Sequence, residues 1–132
     1  MIPDPGELDA IINRALAEDA VGSDATSLSL IPPNLEAAAS LVTKQPGILA
    51  GIHIADAVFK RVNPDLKFVC RLQDGDRLAA GKTLATVSGS IASILSGERT
   101  ALNFLQRMSG IATLTDLYVS AVEETNASIV DT

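Results

Sequence analysis

Between Glu7 and Asp19 the apolar residues Leu8, Ile11, Ile12, Ala15 and Leu16 recur at helical spacing behind a Pro-Gly start, which predicts a first helix. The turn-rich stretch AVGSDATSLSLIPPN follows and closes on a Pro-Pro pair, so it reads as a loop with room for one short strand. Leu35 to Val42 and Gly47 to Ala50, interrupted by Lys44-Gln45-Pro46, read as extended chain. Helical spacing returns between Ile52 and Val62 through Ile54, Ala55, Val58 and Phe59, and Asp65 to Leu72 alternates as a strand does. In DGDRLAAGKTLATVSGS, Asp74 to Ser90, Gly and Asp turns separate short apolar pieces, the pattern of two tight β-hairpin corners. After Ser96 the character changes: a helix from Gly97 to about Ser109, a break at Gly110, a second helix to about Glu124, a turn at Asn126, and a closing strand ASIVDT. This shift divides the chain into residues 1–96, a mixed α/β unit, and residues 97–132, a helix-helix-strand unit.

The helix that opens the second unit has an unusual polar side. At 100° per residue, Thr100, Ala101, Leu102, Phe104, Leu105 and Met108 fan across one broad face, while Arg99, Asn103, Gln106 and Gly110 fall within about 60° of one another with Arg107 close by. Ser96 is placed as its N-cap, and Glu98 in the first turn complements the helix dipole. Two readings of the polar face stand side by side: a solvated side rich in amides, or a face on which Arg99 presents its planar fork to a carboxylate, a phosphate or a partner subunit. Arginine suits the second because its donors match a carboxylate two at a time. No aspartate or glutamate shares that face to pair with the guanidinium within its own helix.

Charge sharpens the second reading. The formal net charge is −6 and the isoelectric point is near 4.6, a field that repels nucleic acid and anionic membrane surfaces, so an anionic ligand must be met by local cations. From Thr83 onward these are Arg99 and Arg107 alone. The N-terminus MIPDPGELDA has neither a basic nor an apolar targeting region, and no run of 18 apolar residues predicts a membrane span. A single cysteine, Cys70, sits in the strand-like LKFVCRL, where it reads as a small buried hydrophobe; a cytoplasmic location is the expectation.

Other chemistry-bearing residues invite bland readings. His53, the single histidine, lies beside Ile52 and Ile54 with no Cys or His at metal spacing, which points to a structural role. The glycines of DGDRLAAGK fit neither GxGxxG nor GxxxxGK[ST], and Lys82 sits in a hairpin context. Asp19 and Asp24 flank a Gly-Ser turn and read as its punctuation. The closing SIVDT runs from apolar residues into Asp131 and Thr132, as a parallel strand does at the carboxyl end where α/β chemistry gathers. A parallel strand needs neighbours and none remain, so the last third reads as the opening of a barrel that is cut off.

ERTALNFLQRMSGIATLT, followed about a dozen residues later by IVDT, closely resembles the nicotinate-nucleotide pyrophosphorylase (carboxylating) family, also called quinolinate phosphoribosyltransferase. ALAEDAVGSDATS, LIPPNLEAAASLVTKQPGILAGIHIADAVF and DGDRLAAGKTLATVSGS resemble the same family in order, so the likeness runs over essentially the whole chain. It implies an α/β open sandwich over residues 1–96 and the start of a β/α barrel over 97–132, truncated after its first strand. It implies the reaction of quinolinate and phosphoribosyl pyrophosphate, with Mg²⁺, to nicotinate mononucleotide, pyrophosphate and CO₂ in NAD biosynthesis, carried out by homodimers or assemblies of dimers. Two positions match its substrate-binding set: Arg99, which would complete the neighbouring subunit's site, and Thr132 at the end of the first barrel strand. In the family an Arg-Lys pair follows that threonine, and later strands hold the metal- and ribose-binding acids. The resemblance therefore implies a chain without catalytic residues or metal ligands of its own, incomplete for catalysis alone. Ser23, where a glycine is common in the family, departs from the pattern.

Two other functions compete. DGDRLAAGKTLATVSGS is also similar to the hairpins of biotinyl and lipoyl carrier domains, though neither Lys44 nor Lys82 has the expected flanks. A sister phosphoribosyltransferase acting on another aromatic acid is the nearer alternative.

Overall fold

The computed structural model describes residues 4–22 and 29–130. Its elements in chain order are α1 (Pro5–Gly22), β1 (Glu36–Val42), β2 (Gly47–Ile48), α2 (Ile52–Val62), β3 (Lys67–Cys70), β4 (Arg77–Leu78), β5 (Thr83–Ser90) and α3 (Ile91–Val122). Two antiparallel sheets form, one in the order β1-β5-β3 and one pairing β2 with β4. This mixed α/β arrangement of small sheets and helices is the fold that the family resemblance implies.

Strand β5 occupies the centre of the larger sheet because its alternate residues are apolar enough to be covered by helices. Register places Ala39, Val87 and Phe68 in one row and Leu41, Ala85 and Cys70 in the next. These rows face the helices: Val87 and Ala85 are buried, and the Phe68 ring stacks on Phe59 of α2 at 5.8 Å between centroids. The opposite face, with Ala38, Ser40, Lys67 and Val69, is exposed. Ile12 of α1, Leu49, Ile52, Val58 and Phe59 complete the core together with Ile94, Ala101 and Leu105 of α3.

Helix α2 begins at Gly51, whose φ of 92° lies in the left-handed region that favours glycine. With no side chain of its own to offer, the turn borrows a cap: Asp74, from the DGD turn, accepts a hydrogen bond from the Ile52 amide at 2.9 Å. The same turn ties back to β2 through Gly75 N to Leu49 O at 2.8 Å and Leu49 N to Asp76 O at 3.0 Å.

The structure departs from the sequence expectations in several places. Residues 74–90 do contain two tight turns, but β4 and β5 enter different sheets, so neither turn closes a hairpin between paired neighbours. The predicted helix at Gly97, the break at Gly110 and the second helix are one helix of 32 residues, Ile91–Val122, about 48 Å long at 1.5 Å per residue. Its N-cap is Ser90, whose hydroxyl accepts from the Ser93 amide, and Ser96 lies inside the helix, donating to Ala92 O at 2.8 Å. Among the described residues 127–130 form no strand, since no partner strand lies beside them; Asp131 and Thr132 fall outside the described residues.

Cys70 is exposed, not buried. It points to the same side as Phe68 but is the last residue of an edge strand, beyond the cover that α2 gives to the centre of the sheet.

Candidate functional site

Helix α3 presents three distinct faces, and each has a local reason. The inward face carries Ile94, Gly97, Thr100, Ala101 and Leu105, all buried, with Leu102 and Phe104 packed partly against the core. Gly97 permits the close approach of α2: a methyl group there would stand 3.1 Å from Phe59 Cδ1 and 3.4 Å from Val62 Cγ2.

A second face, in the MSGIATLT half, takes up the small sheet. Ser109, Thr113 and Asp116 are spaced by four and three residues and so lie on one side of the helix. Thr113 Oγ1 accepts from the Ile48 amide at 2.8 Å and donates to Ser109 O at 2.6 Å. Ser109 Oγ accepts from the Ala50 amide at 3.0 Å and donates to Ala50 O at 3.2 Å. Asp116 receives both terminal nitrogens of Arg77 on β4, at 3.1 and 3.3 Å. The short strand β2, which has one strand neighbour only, thus uses helix hydroxyls as its second edge.

The third face points outward. Arg99, Asn103, Gln106, Arg107 and Gly110 are all exposed, and among the described residues none of their side chains has a hydrogen bond or an ion pair. Further along, the same side turns apolar: Ile111, Leu114, Leu117 and Tyr118 are exposed, Leu117 at 63% and Tyr118 at 57%. One rigid helix therefore carries an unpaired guanidinium at one end of its outer face and uncovered apolar surface at the other.

Of the two sequence-predicted site residues, Arg99 sits on this outer face as expected. Thr132 lies outside the described residues, so the two cannot be related geometrically. The structure adds a residue the sequence reading misplaced. Asp19 does not punctuate a turn; its Oδ2 accepts a hydrogen bond from the hydroxyl of Thr100, which is 1% exposed. The sequence carries only a partial signal, a threonine within an otherwise apolar helical stripe, because such a hydroxyl can equally bond the carbonyl four residues back, as Thr113 does with Ser109. Asp24 and Ser23 lie outside the described residues.

The remaining candidates take no part. His53 is exposed on α2. Cys70 keeps its thiol pKa raised above the usual thiol value, first by partial burial of the sulfur and then by the charges of Asp56 and Asp74, with Lys60 opposing. Lys82 stands in a turn between strands of different sheets and Lys44 in the turn after β1, so neither is at a carrier-type hairpin tip. Among the described residues no three His, Cys, Asp or Glu side chains come together as a metal site, and no helix is long and apolar enough to cross a membrane.

Comparison with known proteins identifies the family of the chain. Residues 24–109 match the family model described as "Quinolinate phosphoribosyl transferase, N-terminal domain". The chain is 45% identical over 116 residues to the chloroplastic nicotinate-nucleotide pyrophosphorylase [carboxylating] of Arabidopsis thaliana, covering 87% of this chain and 33% of that protein. It is 40% identical over 124 residues to the corresponding protein of Mycobacterium leprae, covering 92% of this chain and 44% of that one. The solved nicotinate-nucleotide pyrophosphorylase of Francisella tularensis superposes with a TM-score of 0.90 at 27% identity, over 100% of this chain and 47% of that chain. The chain thus spans between a third and a half of the length of these relatives.

Proposed function

The chain belongs to the quinolinate phosphoribosyltransferase family, and on that premise we propose that it serves the transfer of phosphoribosyl from phosphoribosyl pyrophosphate to quinolinate. The products are nicotinate mononucleotide, pyrophosphate and CO₂, a step of NAD biosynthesis. The chain acts in a homodimer or an assembly of dimers, in the cytoplasm, with Arg99 reaching a quinolinate carboxylate in the neighbour's site and Thr132 belonging to the substrate-binding end of its own.

The observation that carries this reading is the state of Arg99. Its guanidinium is exposed and unpaired among the described residues, on a helix whose opposite side is locked into the core. An anionic chain that leaves such a fork free, with no acid on the same face, offers it to something else. Quinolinate has two carboxylates, and an arginine fork takes one of them bidentately. The uncovered Ile111, Leu114, Leu117 and Tyr118 on the same side support an assembled state in which this face is not bare.

Reaction of two polyanionic substrates calls mostly for positioning and charge stabilisation. Mg²⁺ would accompany the pyrophosphate group of phosphoribosyl pyrophosphate, and the described residues supply no ligand cluster for it. The carrier-module alternative loses its footing because the turn holding Lys82 joins strands that belong to different sheets and do not pair with each other.

A hydrogen bond to a charged partner contributes about 1.5–3 kcal/mol, so losing bidentate capture costs roughly tenfold to a hundredfold in affinity. Arg99→Lys in the natural protein at full length is expected to raise the quinolinate KM by that factor while the KM for phosphoribosyl pyrophosphate stays near wild type. An unchanged quinolinate KM would remove Arg99 from the site.

A further inference from the structure

We propose that Asp19 and Thr100 form a positioning pair that fixes the direction in which Arg99 points, an inference that rests on the reading of Arg99 given above. Thr100 is the residue next to Arg99 and lies about 100° from it around α3. It is the one buried polar residue among the described residues, and its hydroxyl donates to Asp19 Oδ2 from the last part of α1, 81 positions away in sequence.

The geometry gives this contact a task beside that of packing. The inner side of α3 near Arg99 is packed through Gly97, Ala101 and Leu105, and the bond from Thr100 to Asp19 adds a directional constraint on the angle about the helix axis. The directional ties of α3 lie elsewhere: Asn63 Nδ2 to Ser93 Oγ at 3.1 Å in the first turn, and the Ser109, Thr113 and Asp116 contacts in the distal half. Thr100 to Asp19 is the directional tie nearest to Arg99. A roll of about 10° moves a side-chain tip at the ~5–6 Å radius of a helix by about 1 Å. A shift of that size weakens a bidentate contact with a carboxylate, a loss that falls on binding, on the order of tenfold.

Helix α1 is itself anchored to accept the load. Ile12 is 2% exposed in the core, and Asn13 Oδ1 accepts from Arg61 Nε of α2 at 2.6 Å. The carboxylate of Asp19 is thus carried by an element fixed to α2, and α2 in turn packs against α3 through Phe59 and Gly97. Because Asp19 meets the inner side of α3 at Thr100, while Arg99 lies on the outer face, it is a positioning residue and acts through Thr100.

The test is steady-state kinetics on the full-length natural protein with quinolinate and phosphoribosyl pyrophosphate, for Thr100→Val, Thr100→Ser, Asp19→Ala, Arg99→Lys and the Thr100→Val/Arg99→Lys double variant. Thr100→Val and Asp19→Ala are each expected to raise the quinolinate KM on the order of tenfold, with kcat and the other KM held within about twofold, as loss of uniform binding requires. Thr100→Ser, which keeps the hydroxyl, stays near wild type. The double variant is no worse than Arg99→Lys alone, because the pair works through Arg99. A contact that merely supports the fold would instead lower the active fraction and the apparent kcat at constant KM, and that result overturns the proposal, as does additivity in the double variant. If Arg99→Lys raises the quinolinate KM but Thr100→Val and Asp19→Ala do not, the pair's role falls and the reading of Arg99 stands. If Arg99→Lys changes nothing, both fall. Asp19 is only half-buried, so Asp19→Ala decides the matter should Thr100→Val fail to fold.

Discussion

Arg99 and Thr100 are neighbours in the chain with opposite surroundings, and the difference follows from 100° of helical rotation. One is exposed without a partner among the described residues; the other is buried with its hydroxyl on Asp19. The sequence made the first legible, because an arginine without acidic neighbours on its face is visible in a helical projection. It hid the second, because the acceptor comes from 81 positions away. Cys70 shows the same limit from the other side. Its apolar flanks predicted burial, yet its place at the end of an edge strand exposes it, with a pKa raised by partial desolvation and then by Asp56 and Asp74. Thiolate is the reactive form, so Cys70 is expected to react with a thiol reagent at pH 7.5 more slowly than free cysteine, and Asp56→Asn to speed it. The sign for stability runs the same way. The unfolded chain loses its thiol proton at the ordinary pKa while the folded one holds it longer. The contribution to stability is therefore present below the ordinary thiol pKa and lost as pH rises through the window above it. Alkylation rates across pH 7 to 10, with the unfolded protein alongside, measure the displacement; coincident curves would show that the neighbours do not act.

At the level of elements, amphipathic segments were readable and pairing was not. Helix α1, helix α2 and strands β1 and β3 lie close to where the sequence pattern puts them, whereas the eight-residue strand β5 falls in the stretch whose pattern predicts two hairpin corners. Which strands join which sheet is decided by contacts far apart in sequence, and so the turns of residues 74–90 passed for hairpins. The break predicted at Gly110 failed for a related reason. A glycine inside a helix costs about 1 kcal/mol relative to alanine, but hydrogen bonds from Ala50, Ile48 and Arg77 to Ser109, Thr113 and Asp116 hold the helix on both sides of it. Nothing lies within 4 Å of the position a Cβ would take at Gly110, and its backbone is helical. Gly110→Ala is therefore expected to stabilise the fold by about 0.5–1 kcal/mol, a rise in Tm of several degrees for a domain of this size. A lowered Tm by calorimetry would mean that the helix needs a flexible point there after all.

For the whole molecule, the question is what lies against the outer face of α3. Arg99 occupies one end of it and the uncovered Leu114, Leu117 and Tyr118 the other, so a partner that reaches the cation also covers the apolar surface. In a two-fold symmetric dimer the same patch is used by both copies, and an arginine at its edge can reach the site across the interface. That arrangement makes a prediction that an arginine working within its own subunit does not. If Arg99 is given to the neighbour while Thr132 is kept, an Arg99→Ala subunit still owns an intact Thr132. A subunit with a bulky replacement such as Thr132→Trp still lends an intact Arg99. Each variant alone is expected to be severely impaired, yet mixing them through reversible dissociation, or co-expressing them with two different tags and isolating the mixed dimer, creates one site in which both residues are wild type and another in which neither is. Activity should then rise well above that of either parent, with the quinolinate KM of the wild-type protein, because the active sites in the mixture are unmodified. If both residues belonged to the same subunit's site, every site in the mixed dimer would carry one lesion, and no mixing ratio could recover a wild-type KM.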